Sequence, residues 1–235
     1  MENPHESISK QTLITQPRLS DSRYVEWVTH GLTFGEEMMT RPAENHWHMV
    51  FVKENGRSHA IVVGPWTTAG EVWMGDGAEI LWIRFQLGTF MPHLPTRNIL
   101  NTEISLPEGR CQSFYLKGST WEMPTFENAD TFLERLVREE LLVCDPLVNA
   151  ALQDQLPRQT SARTVRHRFL QATGLSQKHI QQMHRAQQAA ELLRQGVPIV
   201  ETALELGYYD QPHLTKSLKQ FMGYTPAQML GGEGD

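Results

Sequence analysis

The stretch that decides the fold reads Gly207-Tyr208-Tyr209-Asp210-Gln211-Pro212-His213-Leu214-Thr215-Lys216-Ser217-Leu218-Lys219. Just ahead of it, Ile199, Val200, Ala203, Leu204 and Leu206 recur at offsets that place them on one helix face. Gly207 ends that helix in this reading, because a residue without a Cβ takes the left-handed conformation of a C-cap. Asp210 suits the N-cap of the next helix, where its carboxylate accepts from free backbone amides. Pro212 fits an early helical position, where a missing amide leaves no bond unmade. Leu214, Leu218 and Phe221 form the next apolar stripe, and Gly223 and Pro226 close it.

Helix, short turn, helix is the arrangement in which the second helix can enter a DNA major groove. The outward positions of that second helix are Gln211, Thr215, Lys216 and Lys219. They supply hydrogen-bond donors for base edges and phosphates, and none is acidic. Upstream, Ser161 fits an N-cap, and Val165 and Phe169 repeat the i, i+4 stripe of Leu214 and Leu218.

The order of these residues resembles the DNA-binding segment of AraC/XylS-family transcription regulators. Gly207-Tyr208, Asp210, Pro212-His213-Leu214-Thr215-Lys216, Leu218-Lys219 and Gly223-Tyr224-Thr225-Pro226 match the second helix-turn-helix of that family in sequence. Residues 161–169 resemble its first recognition helix, and Thr173-Gly174-Leu175-Ser176 follows as the family pattern expects. Residues 185–193 fit the connecting helix. In one respect the chain departs from the pattern. The helix containing Leu147, Val148 and Leu152 is followed by Pro157 and polar residues instead of a glycine turn.

The resemblance implies an α+β chain of two domains. An N-terminal antiparallel β-barrel or jelly-roll, cupin-like, precedes a C-terminal all-α domain with two helix-turn-helix motifs. The boundaries expected are a disordered lead-in over residues 1–20, a β-rich sensing or dimerisation domain over 21–118, a linker helix over 119–144, and the DNA-binding domain over 145–235. By resemblance, Arg163, Arg166 and His167 on the first recognition helix and Gln211, Pro212 and Lys216 on the second stand at base-contacting positions. Thr215 shares the outward face. Arg168, Lys178 and Lys219 suit phosphates, and His213 suits a structural role. The partners implied are double-stranded DNA, a small-molecule effector, a second copy of the chain, and RNA polymerase if the regulator is an activator. The place implied is the bacterial cytoplasm, at the nucleoid.

Charge agrees in its distribution. The 235 residues carry a net charge of −6. Between positions 158 and 219, nine Lys and Arg stand against four acids, while the rest holds 12 basic and 23 acidic residues. A basic module joined to an acidic one suits nucleic-acid binding by the former. No apolar run is long enough for a membrane helix. The first residues lack the apolar core of a secretory signal. Two cysteines, Cys111 and Cys144, read as reduced thiols of a cytosolic protein.

The first half reads as short strands between turns. Residues 48–53 and 58–63 flank Asn55-Gly56, a hairpin signal. In residues 79–87, Ile80, Trp82, Arg84 and Gln86 alternate with Leu81, Ile83, Phe85 and Leu87. Trp47, Trp66, Trp73 and Trp82 with Arg84 form a candidate effector pocket; the same aromatics would equally make a barrel core. His46 and His48 alternate onto one side of a strand, with His59 as a third candidate ligand. The alternative reading, a metal-dependent cupin-type enzyme, rests on that pair. Glu54 lies too far along the chain for the usual metal-binding cupin pattern, so neither a metal nor a cofactor is assigned. No nucleophile elbow, phosphate-binding glycine loop or His-Glu-x-x-His is present, so catalysis is not expected. In residues 128–144, Phe132, Leu133, Leu136, Val137 and Leu141 recur at helical spacing. That helix either packs on the β domain or forms a leucine seam between two copies.

Overall fold

The computed structural model describes residues 13–153, 155–157 and 159–230. Among the described residues, twelve strands lie in the first two thirds of the chain: β1 (Leu13–Arg18), β2 (Val25–Thr33), β3 (Glu37–Arg41), β4 (His48–Glu54), β5 (Arg57–Val63), β6 (Gly70–Met74), β7 (Glu79–Phe85), β8 (Thr89–Phe90), β9 (Glu103–Ser105), β10 (Ser113–Leu116), β11 (Ser119–Glu122) and β12 (Val143–Cys144). Helix α1 (Ala129–Arg138) interrupts them before β12. Six helices follow: α2 (Pro146–Leu152), α3 (Ala162–Thr173), α4 (Gln177–Arg194), α5 (Ile199–Glu205), α6 (Gln211–Met222) and α7 (Pro226–Leu230). The fold is therefore α+β, an antiparallel β region followed by an all-helical one.

The main sheet runs β1-β2-β7-β4-β5-β9 and every pairing is antiparallel. Alternation along β7 sorts its side chains as the sequence implies. Leu81, Ile83 and Phe85 enter the larger core with Met49, Phe51, Phe114 and Trp121. Ile80 and Trp82 face the other side, with Val50, Ala78 and Met74. The β10–β11 hairpin and α1 contribute to the larger core, and Met74 on the β3–β6 ribbon packs against the smaller one.

Two elements differ from the sequence reading, and β2 departs from strict alternation. Residues 1–12 of the expected lead-in lie outside the described residues, but Leu13–Arg18 is a strand paired to β2. In β2, Val25 and Val28 both reach the core although they are three apart. A bulge explains this: Val25 opposes Phe85 and Trp27 opposes Arg84, so Glu26 is the extra residue. The linker segment over 119–144 is not helical throughout. It holds β11, α1 and β12, and α1 buries Phe132, Leu133 and Leu136 in the core of the β region. Those leucines are therefore not available as a seam between copies.

The two regions share a core. Ala43, Leu87, Phe90 and Leu100 pack with Leu147, Val148, Phe169, Ile180, Met183 and Phe221. The last carbonyls of an α-helix have no partner within the helix. For α6 the β region supplies them: Ala43 N donates to Phe221 O at 2.7 Å, and Ala69 N to Gln220 O at 2.8 Å.

Candidate nucleic-acid interface

Each recognition helix is built by its own caps. The Ser161 hydroxyl accepts from Thr164 N at 3.1 Å, and Gly174 ends α3 at φ 72°. The Asp210 carboxylate accepts from His213 N at 2.8 Å, and Gly223 ends α6 at φ 85°. The apolar stripes turn inward, with Val165 and Phe169 buried on α3 and Leu214, Leu218 and Phe221 on α6. This leaves Arg163, Arg166 and His167 exposed on α3, and Gln211, Pro212, Lys216 and Lys219 exposed on α6, with Thr215 half-buried among them. An open concave surface on α6 is lined by Gln211, Pro212, Thr215, Lys216, Lys219, Gln220 and Thr225.

Between the units runs α4, 18 residues long, about 27 Å of helix. Its buried face, with Ile180, Met183, Ala186, Ala190 and Leu193, carries both units. Small side chains there let α6 pack closely. The turn between α5 and α6 is fixed by Tyr208, which is buried. Its hydroxyl bonds Ser217 of α6 at 3.1 Å, and the Arg185 guanidinium of α4 lies 4.5 Å from its ring centre. The His213 ring meets it edge-on at 5.2 Å, consistent with the structural role expected for that histidine.

The α5 stripe expected from sequence is rotated. Thr202 and Ala203 are buried, with Ile199 and Leu206 packed beside them. Val200 and Leu204 are 59% and 74% exposed. Offsets of zero, three, four and seven define the packed face, and the β-branched apolar neighbour at position 200 obscured it.

Arg168 is not a free phosphate donor. It pairs through two nitrogens with Asp145, the residue that also caps α2 by accepting from Leu147 N at 2.9 Å. Lys219 Nζ donates to Gly223 O at 2.8 Å, so its amine lies at the end of its own helix. Lys178 is exposed at the start of α4.

A family model described as a helix-turn-helix domain, HTH_18, matches residues 159–231. This segment is a helix-turn-helix domain. The helix-turn-helix domain spans α3 to α7, both caps, the linking helix and the exposed cationic faces. No curated protein matches the chain in sequence. Solved structures of ToxT from Vibrio cholerae are similar. One, from strain O395 and bound to (E)-4-(8-methylnaphthalen-1-yl)but-3-enoic acid, is 10% identical with a TM-score of 0.40, covering 94% of this chain and 99% of that one. A second from the same strain is 11% identical with a TM-score of 0.38, covering 95% and 100%.

The aromatic group expected to wall an effector pocket is dispersed over the β region. Trp47 is core, stacked on Phe85 at 3.8 Å between ring centres, with its indole N–H on Thr89 O. Trp82 lies on the opposite face of the sheet, Trp66 sits under the Arg41 guanidinium, and Trp73 is 55% exposed. A cavity of about 410 Å³ lies elsewhere, at the far end of the inner sheet face. Its lining includes Gln16, His30, Phe51, Lys53, Glu79 and Phe126. Nothing in the local sequence pattern marks it, because its walls come from five strands and the loop before α1.

His46 lies in the bend before β4 and His48 is the first residue of β4, so strand alternation does not relate them, but both rings face Glu44. The group set against them is Arg84. Its Nη2 lies 2.6 Å from His46 Nδ1 and 3.2 Å from Glu44 Oε1, and its Nε lies 2.8 Å from Glu26 Oε2. A guanidinium thus lies against His46, Glu44 and Glu26. His59 is directed elsewhere, to Glu108 at 2.7 Å. Among the described residues, no group of three or more His, Cys, Asp or Glu is arranged to hold a metal ion. The bulge at Glu26 and the pairing of Glu44 with both histidines were not legible in the sequence.

Proposed function

We propose that this chain is a sequence-specific transcription regulator that reads two successive major grooves with α3 and α6, under the control of its β domain. The observation that carries the reading is the division of α6. Leu214, Leu218 and Phe221 are buried, while Gln211, Lys216 and Lys219 stand exposed on the remaining face. Arg166 and Lys216 serve as base readers on the two helices, by bidentate contact to guanine in the case of Arg. Lys178 serves as a phosphate contact that positions the protein.

Effector control is assigned to the 410 Å³ cavity rather than to the tryptophans. Its apolar floor, Phe51 and Leu81, and its polar groups, His30, Lys53 and Glu79, have the mixed character of small-molecule sites. The β region and the helical region then act as sensing and DNA-binding domains of a cytoplasmic protein at the nucleoid. Among the described residues no helix is long and apolar enough to cross a membrane.

The test is selection of bound duplexes from a random pool, followed by binding at several salt concentrations. An enriched sequence, bound with a steep salt dependence that Lys178→Ala lowers by about one unit of slope, supports the reading. No enrichment over random sequence overturns it.

A further inference from the structure

The inner face of the main sheet ends in a mouth whose make-up follows from strand register. Phe51 on β4 and Leu81 on β7 oppose each other and are buried in the larger core. Two residues further along, alternation returns the same face, and there Lys53 opposes Glu79. The same rung continues to Ser58 on β5 and, on the other side, to Leu32 and Ile14 on β2 and β1. Lys53 Nζ lies 3.3 Å from Glu79 Oε2, and His30 Nε2 lies 3.1 Å from Glu79 Oε1. The facing wall is the loop before α1, where Met123 and Phe126 pack against the core. Arg18 fixes that wall: its Nη2 donates to Phe126 O at 2.8 Å, and its Nη1 pairs with Asp130 of α1 at 2.7 Å. Between sheet and loop lies the 410 Å³ cavity, with an apolar floor and a rim that carries both signs of charge.

The charged groups at the rim are few. Lys53, Glu79 and His30 come from the sheet, and Glu127 comes from the loop. A ligand bearing only a carboxylate meets Lys53 but also Glu79 and Glu127. A ligand bearing only an ammonium meets the carboxylates but also Lys53. A head group with both charges on neighbouring atoms meets each sign with its opposite and leaves neither uncompensated. We propose that the effector is a zwitterion with an apolar tail, of the class of an α-amino acid with a large apolar side chain. Its carboxylate sits on Lys53, its ammonium on Glu79, and its tail on Phe51 and Leu81 under Phe126.

The inference rests on the assignment of this cavity as the effector site and adds the class of ligand. The spacing suits it: the two charges of such a head group are separated by one carbon, and the two charges of the rim touch across one strand pair. The hydrogen bond from His30 holds the Glu79 carboxyl below the usual carboxylate range, so it is an anion at neutral pH and is turned by that bond. The side chains of Lys53 and Glu79 are 58% and 46% exposed, so a ligand reaches both from solvent. The same exposure limits each ionic contact to about fivefold in affinity. Discrimination therefore comes from the presence of both contacts, and the buried tail supplies the rest of the binding.

The experiment is a methyl NMR titration of the full chain with three probes that share a phenyl tail: L-phenylalanine, phenylpropionate and phenethylamine. The methyls of Leu81 and Met123 report the cavity, and that of Met183, in the helical core, reports binding elsewhere. The expected result is that L-phenylalanine shifts Leu81 and Met123 but not Met183, and binds about fivefold tighter than either singly charged probe. Glu79→Gln should weaken L-phenylalanine about fivefold and leave phenylpropionate no weaker. Lys53→Met should weaken L-phenylalanine likewise and leave phenethylamine no weaker. A singly charged probe that binds as tightly as L-phenylalanine overturns the ligand class while leaving the cavity as the effector site. So does a preference for L-phenylalanine that survives both substitutions. No shift at Leu81 or Met123 with any probe overturns the effector assignment, and the ligand class with it.

Discussion

Arg168 grips Asp145 through two hydrogen bonds, Nε to Oδ2 at 2.8 Å and Nη2 to Oδ1 at 2.6 Å. The pair joins the first recognition helix to the N-cap of the helix before it, across the stretch where the chain lacks the expected glycine turn. Asp145 also donates its amide to Gly88 O, so the pair ties α3 to the β domain as well. A fork-to-fork pair is geometrically specific, which suits a residue that sets the angle of a neighbour. Arg168→Ala should therefore cost about 1 kcal/mol of stability while leaving the salt slope of DNA binding nearly unchanged. Chemical denaturation and a salt titration check both halves. A slope reduced by a full unit with unchanged stability would return Arg168 to the phosphate backbone.

Base readers and phosphate contacts separate by sequence dependence. Arg166→Ala and Lys216→Ala should each weaken binding to the selected duplex by about 1–3 kcal/mol and relax the preference at one position. Lys178→Ala should weaken selected and random duplexes alike. Competition binding with both duplexes measures the difference, and equal losses across the three variants would contradict the assignment.

Gly223 tests the contact between domains. It sits at φ 85°, and a Cβ there would come 2.5 Å from Thr40 Cγ2 and 3.4 Å from Ala69 Cβ. Gly207 has a similar φ of 67° but open space around its Cβ position. Gly207→Ala should cost about 1–2 kcal/mol for the left-handed conformation alone. Gly223→Ala should cost more, and should expose the amides of Ala43 and Ala69 to exchange. Equal costs would mean that the β domain does not press on the end of α6.

Much of the helical half was legible because its signals are local. Ser161, Asp210, Gly174 and Gly223 mark helix ends within a few residues of the bonds they make, and the stripes of α3 and α6 follow from 3.6-residue periodicity. The Asn55-Gly56 hairpin and the two faces of β7 were legible for the same reason. What escaped the sequence is non-local. The Arg168–Asp145 pair spans 23 positions, Asn45–His184 spans 139, and the cavity gathers residues from 16 to 127. Periodicity also erred where apolar residues outnumber buried positions, as at Val200 and Leu204 on α5.

That α5 correction is itself testable. Leu204→Gln should change stability by less than about 0.5 kcal/mol, because the side chain is already in water. Leu214→Ala, on the packed face of α6, should cost about 2–5 kcal/mol. Thermal denaturation of the two variants distinguishes them. A large loss from Leu204→Gln would mean that this face of α5 is covered in solution.

Stability should also carry the signature of His48. Its value of about 4 in the folded chain lies below the ordinary histidine value, so its contribution is complete above about pH 6.5 and is lost as pH falls toward 4. The melting temperature should drop more steeply over that window in the unmodified chain than in His48→Gln. Identical profiles would place the imidazole in water.

The central claim is that α3 and α6 occupy successive major grooves of one duplex. Guanine-methylation interference on the selected duplex tests it most directly, with the unmodified chain, Arg166→Ala and Lys216→Ala side by side. Two sensitive segments about 10 base pairs apart, one erased by each substitution, are the predicted result. A single segment, or two segments that both vanish with either substitution, would contradict it.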